Sequence, residues 1–181
     1  MLSQHTFRDG TTITNRTDTN PKLYVSIKQG LEKPLQIAES TLELSNGKSV
    51  THLHCDGWID RSPISDEETL QHLLDRAEEL SPEKDIPVAF NCKGGKGRTG
   101  TAYLCYYLRR YIQERLAAGD RLDDITINIP KLLYNSWKER SGLTSHGDQL
   151  TQVYSVTAAY YNRLKMIESL QTFEPIPKSD S

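Results

Sequence analysis

The sequence predicts an α/β fold with a mixed central β-sheet flanked by helices. Short apolar segments separated by turn signals fill the first third, and apolar residues recur at helical spacing in the remainder. A glycine-rich stretch follows an apolar run and precedes a helical segment. This order of strand, loop and helix is typical of a sheet covered by helices. With 181 residues the chain can form one domain with a hydrophobic core. We predict a flexible arm at 1–21, a folded domain at 22–172 and a flexible tail at 173–181.

Four apolar segments of the first third are predicted strands. The first runs from Leu23 to Ile27, and a weaker one from Leu35 to Ala38. The other two, Thr41 to Leu44 and Ser49 to His54, flank the dipeptide Asn46-Gly47. This dipeptide between apolar segments is a strong signal for a β-hairpin.

A helix is predicted over residues 66–80. Ser65 is a candidate N-cap, and Glu68 three residues later would complete a capping box. The apolar residues that recur at helical spacing are Leu70, Leu73, Leu74, Ala77 and Leu80.

The remaining elements surround a loop. Pro87 to Phe90 is a short apolar run typical of a buried strand, and Cys92 to Gly100 is turn-like. Thr101 to Leu116 is predicted to be helical, as are residues 129–140 and 147–170.

Composition excludes several classes of function. A formal net charge of −2 gives no overall basic field for nucleic acid, and no apolar run approaches the roughly 18 residues of an integral membrane segment. Cys55, Cys92 and Cys105 are an odd number without paired spacing, which favours a reducing, cytoplasmic location. His52 and His54, which precede Cys55, are interpreted as strand residues, and we expect no metal and no cofactor.

The chemistry is concentrated between Asn91 and Gly100. Gly94, Gly95 and Gly97 allow the backbone to turn tightly and direct several N–H groups inward, beside the N-terminus of the following helix. In such an anion site the pKa of Cys92 is expected to be depressed, which makes its thiolate a nucleophile. Arg98, six positions later, can bind two phosphoryl oxygens with its planar guanidinium.

Further side chains of this loop fit the same chemistry. The Thr99 hydroxyl could donate to the sulfur when Cys92 leaves, and Lys93 and Lys96 add positive charge at the rim. A nucleotide-binding P-loop would require Ser or Thr after Gly-Lys, but Gly97 follows Lys96. The pattern therefore predicts phosphate chemistry without a nucleotide.

Cys92 through Thr99 resembles the protein tyrosine phosphatase superfamily, whose signature is His-Cys-x(5)-Arg-Ser/Thr. The resemblance runs from about residue 35 to 170 and implies a tyrosine-phosphatase-like fold. It also implies a phosphocysteine intermediate, with Cys92 as nucleophile and Arg98 as phosphate clamp. Asn91 replaces the family's histidine, so we expect a changed thiol pKa rather than an inactive site.

A candidate general acid lies upstream. Trp58-Ile59-Asp60 resembles the family's Trp-Pro-Asp lid, which implies that Asp60 protonates the leaving group and later activates water. Ile59 stands where the family has proline, and Asp56 is the alternative acid.

The segment from Arg140 to Leu150 resembles the family's glutamine loop, in which two glutamines frame the attacking water. Gln149 matches the second glutamine, and Ser145 stands where the first is expected. Hydrolysis of the phosphocysteine is therefore expected to be slower, unless His146 or Gln149 substitutes for the missing side chain.

The resemblance implies a phosphatase domain that hydrolyses phosphotyrosine in proteins. The family's recognition loop, Lys-Asn-Arg-Tyr, is not found in residues 1–34. The phosphate loop, with Lys93 and Lys96, is also similar to those of lipid-directed bacterial effector phosphatases. A phosphoinositide or inositol-phosphate substrate is therefore one alternative, with delivery into a host cell if the source is a pathogen. A catalytically weak phospho-binding module is the other, and the sequence predicts no oligomeric state.

Overall fold

The computed structural model describes residues 4–15, 22–26, 34–82 and 86–171, with the main chain alone at 22–26 and 171. The chain divides into two compact units, Met1–Asn91 and Cys92–Ser181. The predicted tail at 173–181 lies outside the described residues.

The first unit contains a sheet and one helix. Its elements are β1 (Gln4–Thr6), β2 (Thr12–Asn15), β3 (Lys22–Ser26), β4 (Leu35–Leu44), β5 (Ser49–Asp56) and α1 (Glu67–Leu80). The second unit is helical. It contains α2 (Gly97–Ala117), a 3-10 turn (Leu122–Asp124), α3 (Ile129–Glu139) and α4 (Gly147–Gln171).

Strand β4 is the centre of the sheet. β5 pairs along one edge of it, from Gln36 opposite Asp56 to Glu43 opposite Ser49. The other edge is shared, because β3 pairs with residues 35–39 and β2 with residues 42–44, while β1 extends the sheet beyond β2. The α/β class is confirmed, and every pairing among the described strands is antiparallel.

The predicted hairpin between β4 and β5 is confirmed. Leu44 donates its amide to the carbonyl of Lys48 at 2.8 Å, and the Asn46 side chain accepts from the Lys48 amide at 3.1 Å. Gly47 has φ of +80°, in the left-handed region that glycine adopts without steric cost. The two predicted segments Leu35 to Ala38 and Thr41 to Leu44 form one continuous strand.

Residues 1–21, predicted as a flexible arm, include the strands β1 and β2, which the sequence did not predict. Both strands are exposed or half-buried and polar, with Ile13 the one aliphatic side chain of β2. Strands that pair through the main chain without a buried face produce no hydrophobic alternation, so the sequence pattern did not reveal them. Residues 1–3 and 16–21 lie outside the described part of the chain.

Helix α1 has the predicted extent but a different cap. Asp66, with extended backbone, precedes the helix, and its carboxylate accepts from the Thr69 hydroxyl at 2.7 Å. Ser65 is therefore not the cap. The helix packs against β4 and β5, and Arg76 holds Glu39 of β4 through two hydrogen bonds of 2.7 and 2.9 Å. Its buried positions include four of the five predicted residues: Leu70, Leu73, Leu74 and Ala77.

Pro87 to Phe90 does not form the predicted buried strand. These residues have no regular secondary structure and alternate between exposed and half-buried. Since none of the described strands pairs with them, the apolar composition was not sufficient to place them in the sheet.

The second unit is organised by α2 and α4, which pack against each other. Ile112, Leu122 and Tyr160 form a buried cluster, and the fully buried Arg109 has its guanidinium carbon 4.5 Å from the centre of the Tyr160 ring. The Tyr160 hydroxyl accepts from Gln113 Nε2 at 2.8 Å. Helices α3 and α4 confirm the predicted spans, whereas α2 begins at Gly97, four residues earlier than predicted.

Candidate active site

The loop that is predicted to bind phosphate, residues 92–97 and named the phosphate loop for this prediction, ends at the N-terminus of α2. Arg98 and Thr99 belong to the first turn of this helix, where amide groups without an intrahelical acceptor and the helix dipole favour an anion. Gly95 has φ of +61°, so the loop makes its turn in a conformation that suits glycine. The sequence assigned this turn correctly but placed Arg98 and Thr99 in it rather than in the helix.

Cys92 is half-buried at the start of the loop. Burial raises the pKa of its thiol, but the nearby Thr99 hydroxyl and the backbone amides of Thr99, Lys96 and Gly95 stabilise the thiolate and lower the pKa by more. The net result is a pKa lowered from 9.0 to about 7. A substantial fraction of Cys92 is therefore thiolate at neutral pH.

The carbonyl groups of the same loop face a second set of donors. Arg140, at the end of α3, donates from Nε to the Gly95 carbonyl at 2.6 Å and from Nη2 to the Gly94 carbonyl at 3.4 Å. The Thr144 amide donates to the Lys96 carbonyl at 3.3 Å. The sequence interpretation gave Arg140 and Thr144 no role, because contacts to main-chain carbonyls leave no sequence motif.

The connector between α3 and α4, residues 140–146, also approaches α2 closely. A Cβ at Gly100 would lie 2.5 Å from Thr144 Oγ1, so only glycine fits there. Thr144 itself is buried and has φ of +51°, a strained conformation for a β-branched residue. Trp137 Nε1 donates to the Leu143 carbonyl at 2.5 Å and fixes the same segment to α3.

Gln149 lies at the loop, and the water-framing role that the glutamine-loop resemblance implies for it stays a prediction. It is fully buried in the first turn of α4, and its amide is so close to Gly97 that a Cβ there would lie 2.7 Å from Oε1. Ser145 is exposed and His146 is half-buried, immediately before α4. The second unit thus brings together Cys92 and Gln149 with the loop residues between them.

The rim of the loop is positively charged. Lys93 and Lys96 are both exposed, and residues 92–113 contain no aspartate or glutamate. The aliphatic part of Lys96 approaches Gly142 of the connector, at 3.4 Å from the position of a Cβ. The site therefore presents cations in addition to the backbone amides.

The predicted acid lies in the first unit, on a short loop closed by Trp58. The buried indole donates from Nε1 to the Ser62 carbonyl at 3.0 Å, and the enclosed Ile59 and Asp60 are exposed. Asp56 accepts from the adjacent Gly57 amide at 2.8 Å, as a turn residue does. Asn91, also of the first unit, is exposed. The roles of these residues stay predictions.

Within the described ranges, no group of three or more His, Cys, Asp or Glu residues could hold a metal ion. His52 and His54 lie with ring centres 5.8 Å apart, and the His52 ring approaches the Ser40 hydroxyl at 3.4 Å. No helix in the described part of the chain combines the length and apolar character required to cross a membrane.

Solved structures of several phosphatases share this fold. The catalytic domain of human PTPN18 superposes with a TM-score of 0.59 at 17% identity, covering 81% of this chain and 51% of that one. The Trypanosoma cruzi phosphatase TcPTP1 gives 0.56 at 17% identity, covering 89% and 51%. A complex of PTPN18 with HER2 phosphopeptides gives 0.59 at 17% identity, covering 83% and 51%. This chain thus spans about half the length of these structures.

The sequence itself matches a family model. No curated protein sequence is significantly similar to the chain. The model described as protein-tyrosine phosphatase matches residues 11–159, which extends the resemblance to the N-terminal side of residue 35 and into β2. With most of its length matched, the chain belongs to the protein-tyrosine phosphatase family.

Proposed function

We propose that the chain hydrolyses phosphotyrosine in proteins through a phosphocysteine intermediate. The observation that carries the proposal is the position of Cys92 at the start of a tight loop that ends at the N-terminus of α2, where loop groups lower the pKa of the thiol to about 7. Family membership supports the reaction class, and the phosphopeptides bound by PTPN18 support a protein substrate. A nucleophilic thiol requires reducing surroundings, which supports a cytoplasmic location.

In the first step, the Cys92 thiolate attacks phosphorus while Arg98 and the loop amides hold the phosphoryl oxygens. A sulfur–phosphorus bond forms as the bond between phosphorus and the tyrosine oxygen breaks. The departing phenoxide takes a proton from Asp60, which is left as a carboxylate. The dephosphorylated tyrosine then leaves.

In the second step, water attacks the phosphocysteine and gives its proton to the Asp60 carboxylate. The sulfur–phosphorus bond breaks, inorganic phosphate is released, and Thr99 donates its hydroxyl to the regenerated thiolate. Gln149 lies against Gly97 and would orient the water alone, since Ser145 is too short to replace a second glutamine. We therefore expect the second step to limit turnover.

The test is turnover of a phosphotyrosyl peptide and of p-nitrophenyl phosphate. Activity should be present in the wild type and abolished in Cys92→Ser. Cys55→Ser is the matched control, because it removes a half-buried thiol outside the loop, and it should retain activity. Tight phosphopeptide binding without turnover in the wild type would overturn the proposal in favour of a phospho-binding module.

A phosphoinositide or inositol-phosphate substrate is a second candidate, favoured by Lys93 and Lys96. These two exposed lysines lie in a segment without aspartate or glutamate. They can therefore bind the additional phosphate groups that an inositol ring carries. A panel of phosphoinositides and phosphopeptides would discriminate the two. For the lipid candidate, Lys93→Ala and Lys96→Ala should each lower kcat/KM for phosphoinositides far more than for peptides, while Lys131→Ala in α3 should change neither.

A further inference from the structure

Arg140 contacts two main-chain carbonyl groups of the phosphate loop. Its guanidinium donates to the carbonyls of Gly94 and Gly95, which are two successive peptide groups. A trans peptide group is planar, so its carbonyl and the N–H of the next residue point in opposite directions. Donors placed on those two carbonyls therefore direct the amides of Gly95 and Lys96 to the other face.

These two amides are among the groups that stabilise the Cys92 thiolate. The Gly95 and Lys96 N–H groups, together with the amide and hydroxyl of Thr99, lower the pKa of the thiol. The third peptide group is held similarly, since the Thr144 amide donates to the Lys96 carbonyl. The connector after α3 therefore fixes three consecutive peptide planes of the loop.

The geometry points to Arg140 as a positioning residue, one that aims the Gly95 and Lys96 amides at the sulfur of Cys92 without touching the substrate. The inference rests on the proposed function for its role in catalysis, but the orientation of the loop can be measured without turnover. Glycine at position 95 fits this role, because a Cβ there would lie 2.6 Å from Arg140 Nη2. Any side chain would displace the guanidinium from both carbonyls.

Arginine suits this position better than lysine. The planar guanidinium presents donors in a fixed geometry and can reach two adjacent carbonyls at once, whereas an ammonium group is a flexible point charge. Arg140 is exposed, so its replacement should not disturb a packed core. Its effect should therefore be local to the loop.

The experiment compares Arg140→Met and Arg140→Lys with the wild type. The rate of iodoacetamide alkylation of Cys92 is followed against pH by mass spectrometry of the Cys92 peptide, which separates it from the other two cysteines. We expect the pKa of Cys92 to rise from about 7 by about one unit in Arg140→Met and by less in Arg140→Lys. Arg121→Met, which removes another exposed arginine of the same unit, should leave this pKa unchanged.

If the pKa of Cys92 in Arg140→Met equals that in the wild type, the inference is overturned. If this variant does not fold, Arg140→Lys decides, and an unchanged pKa there overturns it equally. The acidic limb of the kcat/KM profile should shift by the same amount as the alkylation profile. A wild type without turnover would contradict the proposed function alone, because alkylation still reports the position of the amides.

Discussion

The side-chain amide of Gln149 lies against the α-carbon of Gly97, where the phosphate loop becomes helix α2. A Cβ on Gly97 would lie 2.7 Å from Oε1 and 3.0 Å from Nε2 of the glutamine. Gln149 is fully buried, so its amide has little room to move away. This relationship places the Gln149 amide, the group proposed to orient the water, beside the loop.

Gly97→Ala should displace Gln149 and slow hydrolysis of the phosphocysteine. Alanine is compatible with the backbone at this first position of a helix, so the chain should still fold, with some loss of stability from the displaced Gln149. We expect kcat to fall by about 10- to 100-fold, the range that a small misplacement can cause. Rapid-quench kinetics should then show a larger product burst followed by slower turnover.

Gly147→Ala is the matched control for this prediction. Gly147 is also the first residue of a helix, and nothing lies within 4 Å of the position of its Cβ. Equal kcat values for the two variants would contradict the role of Gln149.

Thr99→Val should raise the pKa of Cys92. The hydroxyl of Thr99 stabilises the thiolate, so its removal should shift the pKa upward from about 7 by up to about one unit. Because the thiolate is the reactive form, activity rises with pH through this pKa, and the variant should lose more activity at pH 6 than at pH 8. Alkylation rates against pH measure the shift, and Thr99→Ser should restore the original profile.

Thr144→Val should stabilise the protein. Among the described residues, none is hydrogen-bonded to Thr144 Oγ1, although this atom is buried. Valine has the same shape without the hydroxyl, so the substitution removes a desolvation penalty of about 1 kcal/mol or more. Urea unfolding should show a higher midpoint at an unchanged m-value, and a lower midpoint would show that the hydroxyl is satisfied.

Tyr160→Leu should destabilise the second unit more than Tyr160→Phe. Phenylalanine loses the hydrogen bond from Gln113, which costs about 1 kcal/mol, but keeps the ring against Arg109. Leucine also loses the cation–π interaction with this buried guanidinium, which costs about 2 kcal/mol more. The free energies of unfolding in urea measure both, and equal losses would contradict a contribution from the ring.

Asp60→Asn should lower kcat/KM for a phosphotyrosyl peptide by about 100-fold or more, the usual contribution of a general acid. The loss should be smaller for p-nitrophenyl phosphate, whose leaving group needs less protonation. Asp56→Asn keeps the acceptor for the Gly57 amide and should have little effect. The reverse ranking of the two variants would assign the acid to Asp56.

The parts of the fold predicted from sequence are those with strong local signals. The Asn46-Gly47 hairpin and the helices with apolar periodicity were predicted because their patterns arise from the segment itself. β1 and β2 were missed because polar edge strands depend on a partner, here β4, that is distant in sequence. The prediction of a strand at Pro87 to Phe90 was wrong for the converse reason, because an apolar composition does not supply a neighbouring strand.

The candidate site was predicted as far as its motif reached. Cys92, Arg98 and the glycines were singled out because they belong to one continuous loop and their spacing is visible in the sequence, and their catalytic roles stay predictions. Arg140 and Thr144 were not assigned roles, because they act on main-chain carbonyls more than 40 positions away and such contacts impose no local pattern. Neighbouring Gln149 was identified only through its resemblance to a family motif.

The three carbonyl contacts made by Arg140 and Thr144 also affect the thermodynamics of ligand binding. They order the loop when the chain folds, so the conformational entropy of these peptide groups is lost before any oxyanion arrives. Binding of vanadate or phosphate then requires little further ordering of the backbone, and the unfavourable entropy of association should be small. Variants of Arg140 would transfer that ordering to the binding step, where calorimetry would detect it as a larger entropic cost.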